Sequence, residues 1–368
     1  MSEIASKFLF TSLRCKLFYT AHFHFIANVH KKSIDCQSIV ETIFLTFYGG
    51  RKKMKRFIIK LSVLVFFVCL LVALINLLYM QTNYWKSENY VNQFDDVPYN
   101  LELGNVGNSH GLYSFMWDAV PEIKSANLAL SSQPYFYDLK MLEKYIEHFE
   151  KNAVVIILIS YFEITRRPDY SPYRCRYYRL LEKEDLDSWS LKDYICLKKI
   201  PLFSANQNIL KIIHDIPVEQ MSPYYNRTSF LEGDELKEYC IKKHKDWTSA
   251  DREKGQEGYN QNLNEVSAMI QLCRSHNLKP VLMTTPVTDV LNEIYENDGN
   301  FFPVFKQFTD ELLKKYDGLE YFDYSKDEYF SKNHKLFMDG DHLNNFGAEE
   351  FTKKVVFDLQ SADYLTIH

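Results

Sequence analysis

A serine, an aspartate and a histidine are the residues of this chain whose types and spacing suit acyl-transfer chemistry. Ser109 sits in Gly107-Asn108-Ser109-His110-Gly111, directly after the apolar segment Tyr99 to Val106, which reads as a β-strand. A serine on a sharp strand-to-helix turn, flanked by small residues, stands clear of its neighbours and can act as a nucleophile. Near the other end, Asp339-Gly340-Asp341-His342-Leu343-Asn344 sets a carboxylate and an imidazole three positions apart in a polar loop before a helix. Acyl transfer needs a nucleophile, a base for its proton, a group that orients the base, and donors for the oxyanion. Ser109 and His342 fit the first two roles. Asp339 can reach the Nδ1 side of the imidazole and leave the other nitrogen toward the serine. Asp341 is the rival orienter, disfavoured because adjacent side chains in a loop usually diverge.

These groups can meet only if a sheet brings both ends of the chain to one edge. Short apolar runs at Leu101 to Val106 and Ala126 to Leu130 flank an expected helix from Gly111 to Val120. Asp138 to Lys151 has apolar residues at helical spacing, with Asp138 as expected N-cap. Ala153 to Ser160 is continuous and β-branched, suited to the middle of a parallel sheet covered on both faces. After residues 161–255, dense in Tyr, Arg and Lys, a helix from Tyr259 to His276, a strand from Pro280 to Thr285, a helix from Phe302 to Tyr316 and a strand from Leu319 to Tyr324 follow. Phe346 to Leu359 closes the chain as a helix capped by Asn344 or Asn345. The alternation predicts an α/β class: a three-layer α/β/α doubly wound, mainly parallel sheet, in which ligands bind at the carboxyl ends of the strands. The region 161–255 reads as an insertion over that sheet, or as a groove for carbohydrate or an anionic polymer, since aromatic faces and Arg forks suit such ligands.

Leu61 to Met80 carries no charge over a length that lets an α-helix cross a bilayer, and Arg51, Lys52, Lys53, Lys55, Arg56 and Lys60 crowd its N-terminal side. The positive-inside rule then predicts a single-pass signal anchor in a cell membrane, with the N-terminus cytoplasmic and the rest extracytoplasmic. Met54-Lys55-Arg56 before the apolar run looks like the start of an anchored exported protein. Residues 1–53 are accordingly expected to be an extension upstream of the true start, or else a short cytoplasmic tail. Residues 54–80 form the anchor, 81–98 a polar linker, and 99–360 the extracytoplasmic domain. With 43 basic and 48 acidic residues there is no basic excess to drive phosphate binding, which argues against a nucleic-acid partner. The seven cysteines show no C-x-x-C pair or zinc spacing, and no nucleotide-binding glycine motif is present, so neither metal nor cofactor is expected. Cys175, Cys196, Cys240 and Cys273 follow the membrane segment, as disulfides or as buried thiols.

The blocks GNSHG at 107–111 and DGDHLNNFG at 339–347 resemble the SGNH (GDSL-like) hydrolase superfamily. That family has Gly-Asp/Asn-Ser after its first strand and Asp-x-x-His before its final helix. The resemblance implies the catalytic set Ser109, Asp339 and His342, and an oxyanion hole drawn from Ser109, Ser132 and Tyr161. Ser132, in Asn127-Leu128-Ala129-Leu130-Ser131-Ser132-Gln133, stands where the family usually has glycine and would contribute its backbone N–H. Tyr161, in Ser160-Tyr161-Phe162-Glu163, falls in the block where the family has Gly-x-Asn-Asp, and would contribute its hydroxyl. With the anchor, these blocks are similar to the membrane-bound DltD-like, polysaccharide O-acetylation branch. The resemblance implies an esterase or O-acyltransferase acting through an acyl-Ser109, with an acyl donor, a sugar or polymer acceptor and a membrane-bound O-acyltransferase as partners. A scaffold that holds such an acyltransferase or polymer without catalysis is the alternative.

Overall fold

A computed structural model describes residues 36–82, 85, 91–94, 96–165, 174–204, 227–248, 255–299 and 301–366, with side chains from 53 onward. Much of the expected 1–53 extension, parts of the 81–98 linker and the middle of the 161–255 insertion therefore lie outside the described residues. The chain divides into two compact units, Met1–Ala73 and Leu74–His368. Helix α1, Cys36–Tyr79, occupies the described part of the first and ends in the second. Its stretch Lys53–Tyr79 is long and apolar enough to cross a membrane. Phe57, Leu64, Phe66 and Leu71 are more than half exposed. Such a helix saturates its own backbone hydrogen bonds, and from Leu61 to Leu78 its exposed side chains are apolar except for Ser62.

The second unit is built on five parallel strands in the order β2-β1-β3-β4-β5. They are β1 (Leu101–Val106), β2 (Ser125–Asn127), β3 (Phe149–Leu158), β4 (Lys279–Thr284) and β5 (Glu320–Asp323). In β3, alternate residues enter two separate cores. Val155 and Ile157 pack with Met141, Val266, Ile270, Phe308 and Leu312. Val154, Ile156 and Leu158 pack with Phe115, Trp117, Phe351 and Val355. The helices that supply these residues are α3 (Tyr135–Tyr145), α6 (Gly255–Ser275) and α8 (Phe301–Lys315) on one face. The final helix α9 (Asn345–Ser361) lies on the other, with the segment after the short α2 (Ser109–Ser114). Burial on both faces is why β3 is apolar without alternation. This is the three-layer doubly wound sheet expected from the sequence, and the strand order reverses about β1, the strand that leads into Ser109.

Several boundaries differ from expectation. The helix after Ser109 stops at Ser114, and a separate 3-10 turn, Trp117–Ala119, follows. Helix α3 begins at Tyr135, so Asp138 is not its cap; it lies buried in the first turn and accepts from Gln133 Nε2 at 2.7 Å. Asn344, rather than Asn345, caps α9, accepting from the N–H groups of Phe346 and Gly347. A helix not anticipated, α7 (Asp289–Asp298), follows β4, and the insertion contributes α4 (Arg174–Leu180) and α5 (Gly233–Thr248). Cys175, Cys196, Cys240 and Cys273 are free thiols. Burial pushes the Cys240 and Cys273 thiols up to about 12, so neither is a thiolate near neutrality.

Gly347 shows how closely α9 is seated. A Cβ there would run into the Leu336 carbonyl oxygen and lie 2.9 Å from Leu343 Cδ2. Because the obstacle includes backbone, Gly347→Ala is expected to cost about 3 kcal/mol, measured as a lower urea midpoint at unchanged slope. A loss below about 0.5 kcal/mol would show that the loop before α9 yields freely.

Candidate active site

The turn that carries Ser109 is fixed by its neighbours. Gly107, at φ +149°, occupies a backbone region that favours glycine, and a Cβ there would sit 2.8 Å from Leu158 Cβ. The Asn108 side chain caps α2 by accepting from the His110 N–H. Its Nδ2 donates to Ser160 Oγ at 2.9 Å and to Glu163 Oε2 at 2.5 Å. The stretch 160–163 thus buttresses the turn from the end of β3. On the other side the Gly107 carbonyl accepts from Leu130 N at 3.1 Å and from Gln133 Nε2 at 3.4 Å. These bonds tie the turn containing Ser132 to the one containing Ser109. Asn127 reinforces them: its Nδ2 donates to the carbonyls of Gly111, Leu112 and Phe115, where α2 ends.

The loop from Phe337 to Leu343 closes as a small antiparallel bridge. Inside it Asp339 Oδ1 accepts from the N–H groups of Asp341 and His342, at 3.0 and 2.9 Å, an arrangement in which the aspartate shapes its own turn. Asp339 Oδ2 lies 2.9 Å from His342 Nδ1. At the far side of the ring, His342 Nε2 lies 2.9 Å from Ser109 Oγ. A ring nitrogen facing a carboxylate carries the proton, so Nδ1–H donates to Asp339 and the Nε2 lone pair faces the serine hydroxyl. That tautomer can accept the Ser109 proton.

A second carboxylate lies behind the first pair. Asp341 is buried, with Oδ2 3.1 Å from His110 Nε2 and Oδ1 3.6 Å from His342 Nδ1. From α5, Tyr239 donates its hydroxyl to Asp341 Oδ1 at 3.2 Å, and Lys243 Nζ lies 3.3 Å from Oδ2. His110 donates through Nε2, which leaves its Nδ1 to accept from Thr285 Oγ1 at 3.3 Å. Burial lowers the His110 pKa by more than Asp341 raises it, so this imidazole is neutral. Burial opposes the Asp341 charge, but His342, His110 and Lys243 outweigh it and hold the carboxyl well below the usual range. Burial likewise works to lower His342, yet the charges of Asp339 and Asp341 prevail and raise it. His342 is therefore a stronger base than a free imidazole, and its cationic form is met by two carboxylates.

The structure brings together Ser109, Asp339 and His342 and gives the rival, Asp341, to His110. Ser132 has φ +55°, the left-handed conformation that glycine adopts freely and a serine adopts at a cost. Tyr161 is elsewhere. Its ring packs edge-on against Tyr295, Phe302 and Phe305, and burial, with the nearby charge of Asp323, pushes its hydroxyl pKa up; Asp323 ends β5, the third strand along from β1. The Tyr161 hydroxyl is not brought to Ser109. Its parity with Ile157 and Ile159, which enter the same core, is the sequence signal for this placement.

The residues that sequence reasoning passed over are Glu163 and Ser160 beneath Asn108, and Tyr239 and Lys243 on the insertion helix. Arg227, also of the insertion, stacks over the Tyr113 ring at 3.9 Å, and Tyr113 meets the His342 ring edge-on. Polar atoms of His110, Asp341 and His342 lie within 4.8 Å of one another, a donor set that suits a divalent metal. The Lys243 ammonium already supplies a cation to Asp341, and metal on His342 would take that ring from Ser109 or Asp339. The arrangement fits proton transfer better than metal ligation.

No family model matches the chain, and no curated protein does. Among solved structures it is similar to a Bacteroides fragilis protein described as an acylhydrolase, at 10% identity over 75% of this chain and 96% of that one, with a TM-score of 0.38. It is also similar to a Streptococcus pneumoniae protein described as a platelet activating factor, at 13% identity over 79% of this chain and 99% of that one, with a TM-score of 0.36. Likenesses this distant say nothing of chemistry.

Proposed function

We propose that this protein is a membrane-anchored serine acyl-transfer enzyme of the SGNH type, working outside the cell on a polysaccharide or other envelope polymer. The observation that carries the reading is the chain of contacts from Ser109 Oγ through His342 to Asp339, 2.9 Å at each end. Ser109 Oγ attacks the carbonyl carbon of an acyl ester while His342 Nε2 takes its proton. The tetrahedral oxyanion is met by the Ser109 N–H, which opens a helix and has no intrahelical acceptor, and by the Ser132 N–H. Collapse expels the donor's oxygen, which receives the proton from His342, and leaves an ester on Ser109. A sugar or polymer hydroxyl, or water, then loses its proton to His342 and attacks that ester, releasing Ser109. The lysine- and arginine-rich N-terminal flank of the apolar helix supports a cytoplasmic N-terminus, and the anchor would set the domain beside a membrane-bound O-acyltransferase.

A fluorophosphonate probe tests the reading, because it reacts with an activated serine and not with a passive one. The wild type is expected to label at Ser109, seen by mass spectrometry of the modified peptide, and Ser109→Ala not at all. Equal labelling of both would overturn the assignment. Absence of labelling in the wild type, with polymer binding retained in Ser109→Ala, would favour the scaffold.

A further inference from the structure

The segment from Trp189 to Phe203 has a surface that the catalytic reading leaves unexplained. Trp189, Leu191, Ile195 and Phe203 are 39–61% exposed, although each is large and apolar. Leu191 and Ile195, four apart, share a face of the consecutive helical turns Leu191–Asp193 and Tyr194–Lys199. Cations surround them: Lys183 lies over the Trp189 ring at 4.5 Å, Lys199 over Tyr194 at 5.4 Å, and Lys192 and Lys198 stand on the same turns. Asp193 is the acid on those turns; of the acids in the preceding stretch, Asp187 is engaged by Arg174 and Tyr137 and Asp185 by Lys140, and Glu182 and Glu184 flank Lys183. An exposed apolar patch with basic surroundings is unusual on a surface that meets only water.

Its location identifies what covers it. Leu202 N donates to Asn76 Oδ1 at 3.1 Å, and Leu202 packs against the cluster of Tyr79 and Trp85. Asn76 and Tyr79 belong to the last turn of α1, where the apolar stretch ends. A segment fastened to that turn lies at the depth where a spanning helix leaves the hydrocarbon. Trp85, a few residues past the helix, is buried beneath the Arg179 guanidinium at 5.0 Å. Among the described residues here, Trp189 and Phe203 of the 189–203 segment are the exposed aromatic side chains.

We propose that residues 189–203 form a second membrane contact, resting their apolar side chains among the anionic headgroups of the leaflet in which α1 ends. Tryptophan and phenylalanine suit the headgroup level, and lysines beside them are attracted by anionic lipid. The contact rests on the reading that α1 spans a bilayer, but it is independent of the chemistry at Ser109. It would add a second point of attachment to that of α1.

The test uses the full chain in vesicles of phosphatidylcholine with or without phosphatidylglycerol, some of it brominated near the glycerol. Bromine quenches only tryptophans that reach it, and the signal of Trp189 is the difference between wild type and Trp189→Phe. That difference is expected to be quenched, more strongly with phosphatidylglycerol present. Replacing Lys192, Lys198 and Lys199 by Gln should reduce the quenching by about half or more. Flotation of the same samples separates the two ideas. A chain that floats with the vesicles while Trp189 stays unquenched overturns the second contact and keeps the anchor; a chain that does not float removes both. No protein partner is present, so quenching cannot come from one.

Discussion

Asp339→Asn is expected to slow fluorophosphonate labelling, and hydrolysis of an activated ester, by about 10^4-fold with little change in thermal stability. The asparagine keeps an oxygen for the N–H groups of Asp341 and His342, so the loop retains its turn. What changes is the group facing His342 Nδ1. An amide nitrogen there donates, and the imidazole answers by moving its proton to Nε2, where it meets Ser109 Oγ as a donor. The serine then has no base. Asp341 cannot restore the tautomer, because its Oδ1 is 3.6 Å from Nδ1 and its other oxygen is held by His110 and Lys243. A loss under about tenfold would show that Asp341 orients the ring after all. An unchanged melting curve alongside the large loss would separate this role from a structural one.

The skeleton of this site was legible because strong patterns carry it. Val154 to Leu158 could hardly be anything but a covered strand, and the glycine-flanked serine after one apolar run and the Asp-x-x-His after another imply a shared edge. Helix α7 was not anticipated: six of the ten residues of DVLNEIYEND are Asp, Glu or Asn, and the short apolar stripe of Val290, Leu291, Ile294 and Tyr295 that docks it on the core spans little more than one turn. Asp138 looked like a cap because a carboxylate before an apolar run usually is one; here Gln133, five residues earlier, offers it a buried partner. The second carboxylate was visible but its partner was not. His110 adjoins the nucleophile in sequence, yet its hydrogen bond spans 231 positions. Tyr239 and Lys243 reach the same carboxylate from a helix whose sequence marks Leu236 and Cys240 for burial but gives no sign of what its neighbouring polar side chains meet. Side-chain partners contributed by an insertion depend on docking, which residue spacing within the insertion does not encode.

Asp341→Asn should separate the two carboxylates by pH as well as by rate. In the wild type the charge of Asp341 helps to raise His342, so the base is protonated at a higher pH than a free imidazole would be. Removing that charge leaves Lys243 beside the ring, and Lys243 lowers it further. The acid limb of the labelling rate must therefore move to lower pH. The plateau must fall, on the order of tenfold to a hundredfold, since the imidazolium formed as Ser109 attacks has lost one of its two counter-charges. Adding Lys243→Met should move the limb partly back, which a merely structural role for Asp341 would not produce. The stability difference has its own profile. Asp341, held below its unfolded value, contributes stability above about pH 4 that is lost as pH falls through its folded value. His342, held above its unfolded value, contributes stability below about pH 6.5 that is lost as pH rises through its folded value. Wild type and variant should consequently differ most in urea midpoint between about pH 4 and 6.5; above that range the difference shrinks by the share His342 contributes, while His110 and Lys243 still hold Asp341, and it closes only at low pH as Asp341 takes up its proton. An acid limb that stays in place, or moves up, would mean that His342 does not sense Asp341 across the 3.6 Å between them.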